Sequence, residues 1–239
     1  MIGLGTLINV AGILAGGLFG LLFGKRLTQR FQDTLMSANG ICVLFIGISG
    51  CLSEMYKITT SGLETSGTMM MIVCFALGAL FGELLNLESR FEQFGEWLKR
   101  KTGSEGDTGF VGGFVTASLT VCIGAMAVVG SIQDGTLGDY STLSAKAVLD
   151  LIIIMIMTAS FGKGCIFSAI PVGIFQGSVT LLARLVEPLL TAAALSNLSL
   201  VGSVLILCVG INLIWKNTIR VANLLPAILV AVAYALLGF

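Results

Sequence analysis

The chain has 239 residues, is 56% hydrophobic and only 11% charged, and has a mean hydropathy of +1.00, which excludes an ordinary soluble domain. Thirteen basic residues balance thirteen acidic ones, which argues against a nucleic-acid partner. There is no histidine, so imidazole zinc sites, Ser-His-Asp triads and imidazole bases are all excluded.

Lipid cannot satisfy a bare backbone, so apolar runs of about 20 residues read as spanning helices. Taken in order, eight such runs are predicted, at 2–24, 32–52, 67–87, 110–132, 146–161, 164–184, 199–215 and 221–238. Only Gly162, Lys163 and Gly164 part the fifth from the sixth, which leaves open a seven-span reading with one long broken helix. Between odd and even spans the basic residues are unevenly shared. Lys25, Arg26, Arg30, Arg90, Lys99, Arg100, Lys101, Lys163, Lys216 and Arg220 fall in odd-numbered connections. Lys57, Lys146 and Arg184 fall on the other side. Basic residues accumulate on the cytoplasmic side, so both termini are expected outside the cytoplasm. The first span follows no basic segment and does not read as a signal peptide.

The first span carries Gly12, Gly16, Gly20 and Gly24 in a row. Gly78/Gly82, Gly109/Gly113 and Gly173/Gly177 repeat the four-residue spacing. Small residues at that spacing let helix backbones approach closely, either within the chain or across a homo-oligomer interface. Leu27, Phe31 and Leu35 suggest a short amphipathic lead into the second span. Between spans 3 and 4, Phe91, Phe94, Trp97 and Leu98 oppose Glu88, Glu92, Glu96 and Lys99. That pattern predicts an amphipathic helix on the bilayer surface or docked on a partner. The polar stretch 101–108 then forms a boundary.

Span 4 contains Thr116, Ser118, Thr120 and Ser131, which either bond to helix backbones or line a polar track. It ends in Gln133-Asp134-Gly135, a turn signal. Lys146 and Asp150 lie four apart at the start of span 5 and share a helix face. An ionisable group within a span faces a cavity or a partner. Asp150 is therefore a candidate ligand for a solute, proton or cation near an outer vestibule, with Lys146 beside it. In span 6, Pro171 removes a backbone donor beside Ser168, Gly173, Gln176 and Gly177. A bent or unwound helix there would expose groups that can hold a small polar solute. Asn9, Asn39, Asn212 and Asn223 are further buried-amide candidates, and Asn223 with Pro226 reads as a helix start. The substrate or ion pathway is thus expected at Asp150, Lys146, Ser168, Pro171, Gln176 and Asn9. The six cysteines sit in or at the ends of apolar segments without a CxxC pair, and no metal site or cofactor is expected.

Val43–Ile48 (VLFIGI) matches Ile206–Ile211 (ILCVGI), each in the middle of a three-span group. This predicts one all-α membrane domain: repeat A over 1–87, an amphipathic helix and loop over 88–109, a central hairpin over 110–161, and repeat B over 162–239. Three spans is an odd number and the groups enter from opposite sides, so the copies are inverted. That arrangement recurs in secondary transporters. No phosphate loop, nucleophile elbow or metal spacing is present, and no enzyme activity is expected. The leading reading is a small-solute or ion transporter or channel-like protein. The alternative is a non-transporting scaffold that recruits or stabilises partner proteins.

The stretches GTLINVAGILAGGLFGLLFGK, GFVTASLTVCIGAMAVVGSIQDG, KAVLD and GKG…SAIPVGIFQGSVTL resemble the bacterial membrane proteins called the domain of unknown function 554 family. The resemblance covers nearly the whole chain and implies a multi-pass protein of the bacterial inner membrane. Members often have proline where this chain has Ala125, so any bend in span 4 here is expected to rest on Gly124 and Gly130. The resemblance implies no catalytic or binding residues.

Overall fold

The computed structural model describes residues 2–24, 28–59, 62–189, 191–215 and 218–237. Lys25, Arg26, Leu27 and Lys216, used above for topology and amphipathicity, lie outside the described residues. In chain order the elements are α1 (Leu4–Gly24), α2 (Gln29–Met55), the antiparallel hairpin β1 (Tyr56–Thr59) and β2 (Gly62–Thr65), α3 (Thr68–Leu85), α4 (Leu87–Lys101), α5 (Phe110–Cys122), α6 (Ala125–Leu137) and α7 (Ser141–Phe161). A 3₁₀ segment, Lys163–Ser168, then leads into α8 (Ala169–Leu181). The short α9 (Ala183–Val186), a 3₁₀ turn at Glu187–Leu189, α10 (Ala192–Trp215), α11 (Val221–Leu224) and α12 (Pro226–Leu236) complete the chain.

Among the described residues, six helices are long and apolar enough to cross a membrane, and a seventh span forms if α5 and α6 count as one bent pair. All eight apolar runs coincide with helical segments. The eighth run, Val221–Leu236, is a shorter apolar helix than the rest. A helix rises about 1.5 Å per residue, so it covers less than a hydrocarbon core about 30 Å thick.

The chain divides into two compact units. Unit 1 comprises Met1–Asn39, Ser89–Cys122 and Met126–Glu187. Unit 2 comprises Gly40–Glu88, Ile123–Ala125 and Pro188–Phe239.

Unit 1 is built on the glycine row of α1. A Cβ added at Gly12 would lie 2.8 Å from the Ala147 carbonyl oxygen, and one at Gly24 would lie 2.9 Å from the Ala159 Cα. Between them, Gly16 and Gly20 stand against the carbonyls of Leu151 and Met155. Each four-residue step on α1 meets a four-residue step on α7 in the same direction, so the two helices are parallel. The row therefore serves packing within the chain. Gly173 and Gly177 behave differently: the first meets only Val10 at 3.4 Å and the second meets nothing within 4 Å. The same spacing in α8 makes no comparably close approach.

The register also settles the seven-span alternative. Thr6 bonds to Thr180 and Asn9 to Gln176, so α8 runs antiparallel to α1 and hence to α7. Spans 5 and 6 are two helices turning at Gly162, whose φ of +90° is a backbone state that favours glycine. The α5–α6 pair is bent by 61°. Gly109 lies against the Phe161 carbonyl at the end of α7, whereas Gly130 lies against Leu143 near its start. The pair therefore traverses the length of α7. The break falls at Gly124, with φ +139°, as expected, while Gly130 sits within α6.

The amphipathic α4 packs on α5. Gly95 lets Phe114 and Val111 approach, Leu98 is buried, and Phe94 meets Phe114 edge-on at 5.7 Å. Phe94 also stacks on Trp97 at 5.7 Å, and both rings stay partly exposed.

In unit 2, α2 and α10 cross antiparallel through close glycine contacts. Cβ atoms added at Gly47 and Gly210 would meet the backbone N of Leu207 and Leu44, each at 2.6 Å. Gly40 faces Leu213, and Gly50 faces Ser203. Gly78 and Gly82 of α3 face Ala227 and Asn223 in the same antiparallel sense. All six cysteines are free thiols.

Candidate functional site

The polar centre of the molecule is in unit 1, and α7 supplies its charges. Its apolar run begins near residue 146, but the helix itself begins at Ser141. Asp150 is therefore the tenth of 21 residues, about 14 Å along the helix at 1.5 Å per residue. That places it at mid-helix and not at a helix start. Just ahead of the helix, Asp139 accepts a hydrogen bond from the Ser141 N–H at 2.9 Å and so closes the turn that leads into it.

Lys146 Nζ donates to both carboxylate oxygens of Asp150, at 2.8 and 2.7 Å. Lys146 is 7% and Asp150 3% exposed, so the pair is buried. Such a pair survives only with good geometry, because desolvating two ions costs several kcal/mol per ion. Asn9, from α1, lies beside the Asp150 carboxylate.

Asn9 and Gln176 are fully buried, and Asn9 Nδ2 donates to Gln176 Oε1 at 3.2 Å. Four residues along α8, Thr180 pairs its hydroxyl with that of Thr6 at 3.4 Å. Four of the expected pathway residues, Asn9, Lys146, Asp150 and Gln176, are thus brought together from three helices. Ser168, at the junction of the 3₁₀ segment and α8, is fully buried without a hydrogen-bond partner. Ser118 of α5 is likewise buried without a hydrogen-bond partner. Pro171 is the third residue of α8, where its missing N–H disturbs no helical bond. The departure from α-geometry lies before it, in Lys163–Ser168.

Six buried side-chain atoms lack a partner among the described residues: Asn9 Oδ1, Ser118 Oγ, Ser144 Oγ, Thr158 Oγ1, Ser168 Oγ and Gln176 Nε2. All six belong to unit 1. Of the other span-4 hydroxyls, Thr120 and Ser131 bond to carbonyls four residues back, at 2.7 and 2.6 Å. The three described cavities lie elsewhere. One of about 410 Å³ is in unit 2, between Leu80, Glu83, Arg220 and Leu224.

Asp134 shows what the sequence conceals. Gln133-Asp134-Gly135 reads as a turn, but it lies inside α6 and Asp134 is fully buried. Its carboxylate accepts the N–H groups of Gly3 and Gly5, at 3.2 and 3.0 Å, and so holds the start of α1. No local pattern distinguishes a turn Asp from one that caps a helix 130 residues away. Ser144 and Thr158 carry no sequence signal either.

Several polar groups of unit 2 sit at helix ends, and none of its described buried side-chain N or O atoms lacks a partner. Asn212 holds Ile219 through both its amide atoms, at 2.6 and 2.9 Å. Asn223 Oδ1 accepts the Glu88 N–H at 2.7 Å, and Glu88 Oε2 accepts the Ala222 N–H at 2.9 Å. Glu83 pairs with Arg220 at 2.7 Å and accepts from the Asn223 amide. Pro226 opens α12, as expected, while Asn223 ties down the α3–α4 link.

Comparisons with known proteins agree with this architecture. A relative described as "Uncharacterized membrane protein YdfK", from Bacillus subtilis (strain 168), is 30% identical over 226 residues, covering 95% of this chain and 93% of its own. "Uncharacterized protein YqgA", from Escherichia coli (strain K12), is 29% identical over 235 residues, covering 95% and 94%. No solved structure matches. The family model described as "Protein of unknown function (DUF554)" matches residues 4–236, and the chain is a multi-helix membrane protein belonging to that family.

Proposed function

We propose that this protein is a small-solute or ion transporter or channel-like protein of the bacterial plasma membrane, with its pathway through the polar centre of unit 1. The observation that carries this reading is the confinement of all six described unpartnered buried polar atoms to unit 1, around a buried ion pair at mid-helix. A buried polar atom without a partner costs about 1–3 kcal/mol. A packing core has no use for six of them; a route for polar cargo does. The centre assigns no catalytic step, cofactor or metal.

The proposal includes inverted repeats and both termini outside the cytoplasm. The repeat is supported by reciprocity. If Leu44 corresponds to Leu207 and Gly47 to Gly210, the contact of Gly47 with Leu207 has its mirror in that of Gly210 with Leu44. The contacts Gly40–Leu213 and Gly50–Ser203 exchange under the same shift. The glycine row of α1 is taken by α7, so a homo-oligomer would use open positions such as Gly112 and Gly177.

A ligand at about 100 times its dissociation constant adds roughly 2.7 kcal/mol to the native state. A thermal-shift screen of ions, organic acids, amino acids, sugars and amides should therefore reveal a ligand of the wild type. The ligand should be lost in Lys146→Met/Asp150→Leu, which removes the charges without stranding either. A shift retained in that variant rejects the site. The scaffold alternative rests on the exposed, stacked Phe94–Trp97 pair of α4. It gains if Phe94→Ala/Trp97→Ala abolishes capture of partner proteins while the screen stays silent.

A further inference from the structure

We infer that the cargo of this centre is a small neutral solute that both donates and accepts hydrogen bonds, of the amide or polyol class, and not a bare ion. This rests on the transport reading above. The first ground is charge. Lys146 and Asp150 neutralise each other, each oxygen of the carboxylate being engaged by the ammonium, and the other described carboxylate buried in unit 1, Asp134, is committed to the Gly3 and Gly5 N–H groups at the start of α1.

The second ground is a count of hydrogen-bonding capacity. Asn9 and Gln176 are each 0% exposed and joined by one hydrogen bond, leaving Asn9 Oδ1 as a free acceptor and Gln176 Nε2 as a free donor. The two amides thus offer one acceptor and one donor, side by side. A dehydrated cation needs converging acceptors and an anion needs converging donors; this pair offers one of each.

The third ground is the remainder of the line. Ser144, Thr158, Ser168 and Ser118 present only hydroxyls, each able to give and to take a hydrogen bond. Ser144 and Thr158 stand 14 residues apart on α7, about 21 Å, on either side of Asp150. Hydroxyls and carboxamides at successive depths can pass on a solute of the same character without a charged intermediate.

The test uses the full chain in liposomes, with urea and glycerol as neutral probes followed by stopped-flow light scattering. K⁺ and Cl⁻ fluxes are followed in the same vesicles with ion-sensitive dyes. The expected result is a several-fold rise in urea or glycerol permeability over protein-free vesicles, with no ion flux. Gln176→Leu should abolish that rise. Gln176→Glu, which keeps the shape but replaces the amide donor, should abolish it too, with both variants checked by thermal unfolding for a native fold. Ion flux, with or without neutral flux, overturns this inference and leaves the transport reading standing. A neutral flux that survives both substitutions also overturns it. No flux of any probe overturns both.

Discussion

The two compact units differ in what they bury. Unit 2 places several polar side chains at helix ends, where Asn212, Asn223, Glu83 and Glu88 close linkers through satisfied bonds. Its helices meet through glycines pressed on backbone, as at Gly47 and Gly210. Unit 1 uses the same glycine packing along α1 and α7 but also buries an ion pair, two carboxamides and a set of unpartnered hydroxyls. Small-residue packing accounts for cohesion in both, because lipid offers no hydrophobic drive between helices. It does not account for the polar interior of one. On the proposed reading, that surplus marks unit 1 as the working part.

The contrast can be broken experimentally, beginning with the largest effect. Asp150→Asn leaves the Lys146 ammonium buried without a counter-charge and should destabilise by about 3–5 kcal/mol, whereas Lys146→Met/Asp150→Leu should recover most of the loss. Unfolding of purified variants measures both, and equal losses would mean that the pair is not buried as described. Next is the glycine packing. Gly16→Ala forces a methyl group onto the Leu151 carbonyl and should cost about 1–3 kcal/mol. Gly177→Ala meets nothing and should be neutral or stabilising by up to about 1 kcal/mol.

In unit 2, Asn223→Ala removes the side-chain bonds to the Glu88 N–H and to Glu83 and should cost about 1 kcal/mol, with no effect on flux. The smallest effect concerns pH. The Ser141 N–H holds the exposed Asp139 carboxyl below its ordinary value of 3.8. A lowered pKa stabilises the fold above the unfolded value, and the benefit disappears as pH falls through the folded value. Unfolding curves of Asp139→Ala and wild type should therefore converge on acidification below about pH 4.

Much of this was legible in the residues. Hydropathy located the apolar helices, and the four-residue glycine spacing on α1 pointed to its close packing. Lys146–Asp150 followed from helical periodicity, Asn9 from the expectation of a buried amide, and Gln176 from its place beside Pro171. What escaped depends on partners distant in sequence. The position of Asp150 within α7 depends on where the helix starts, and that is at Ser141, ahead of the apolar run. The cap that Asp134 gives to α1 crosses 129 residues or more. Gly173 and Gly177 show that spacing alone does not reveal which glycine face finds a neighbour.

The central claim, that unit 1 holds a polar route and unit 2 does not, is tested most directly by thiol accessibility. In a cysteine-free background, single cysteines at Ser144, Ser168 and Leu205 would be exposed to a small membrane-impermeant thiol reagent in intact vesicles. All three positions are buried or nearly so, and Leu205 stands in the apolar interior of unit 2. The account predicts labelling at Ser144 and Ser168, slowed by urea or glycerol, and none at Leu205. Silence at both serines, or equal labelling at Leu205, would contradict it.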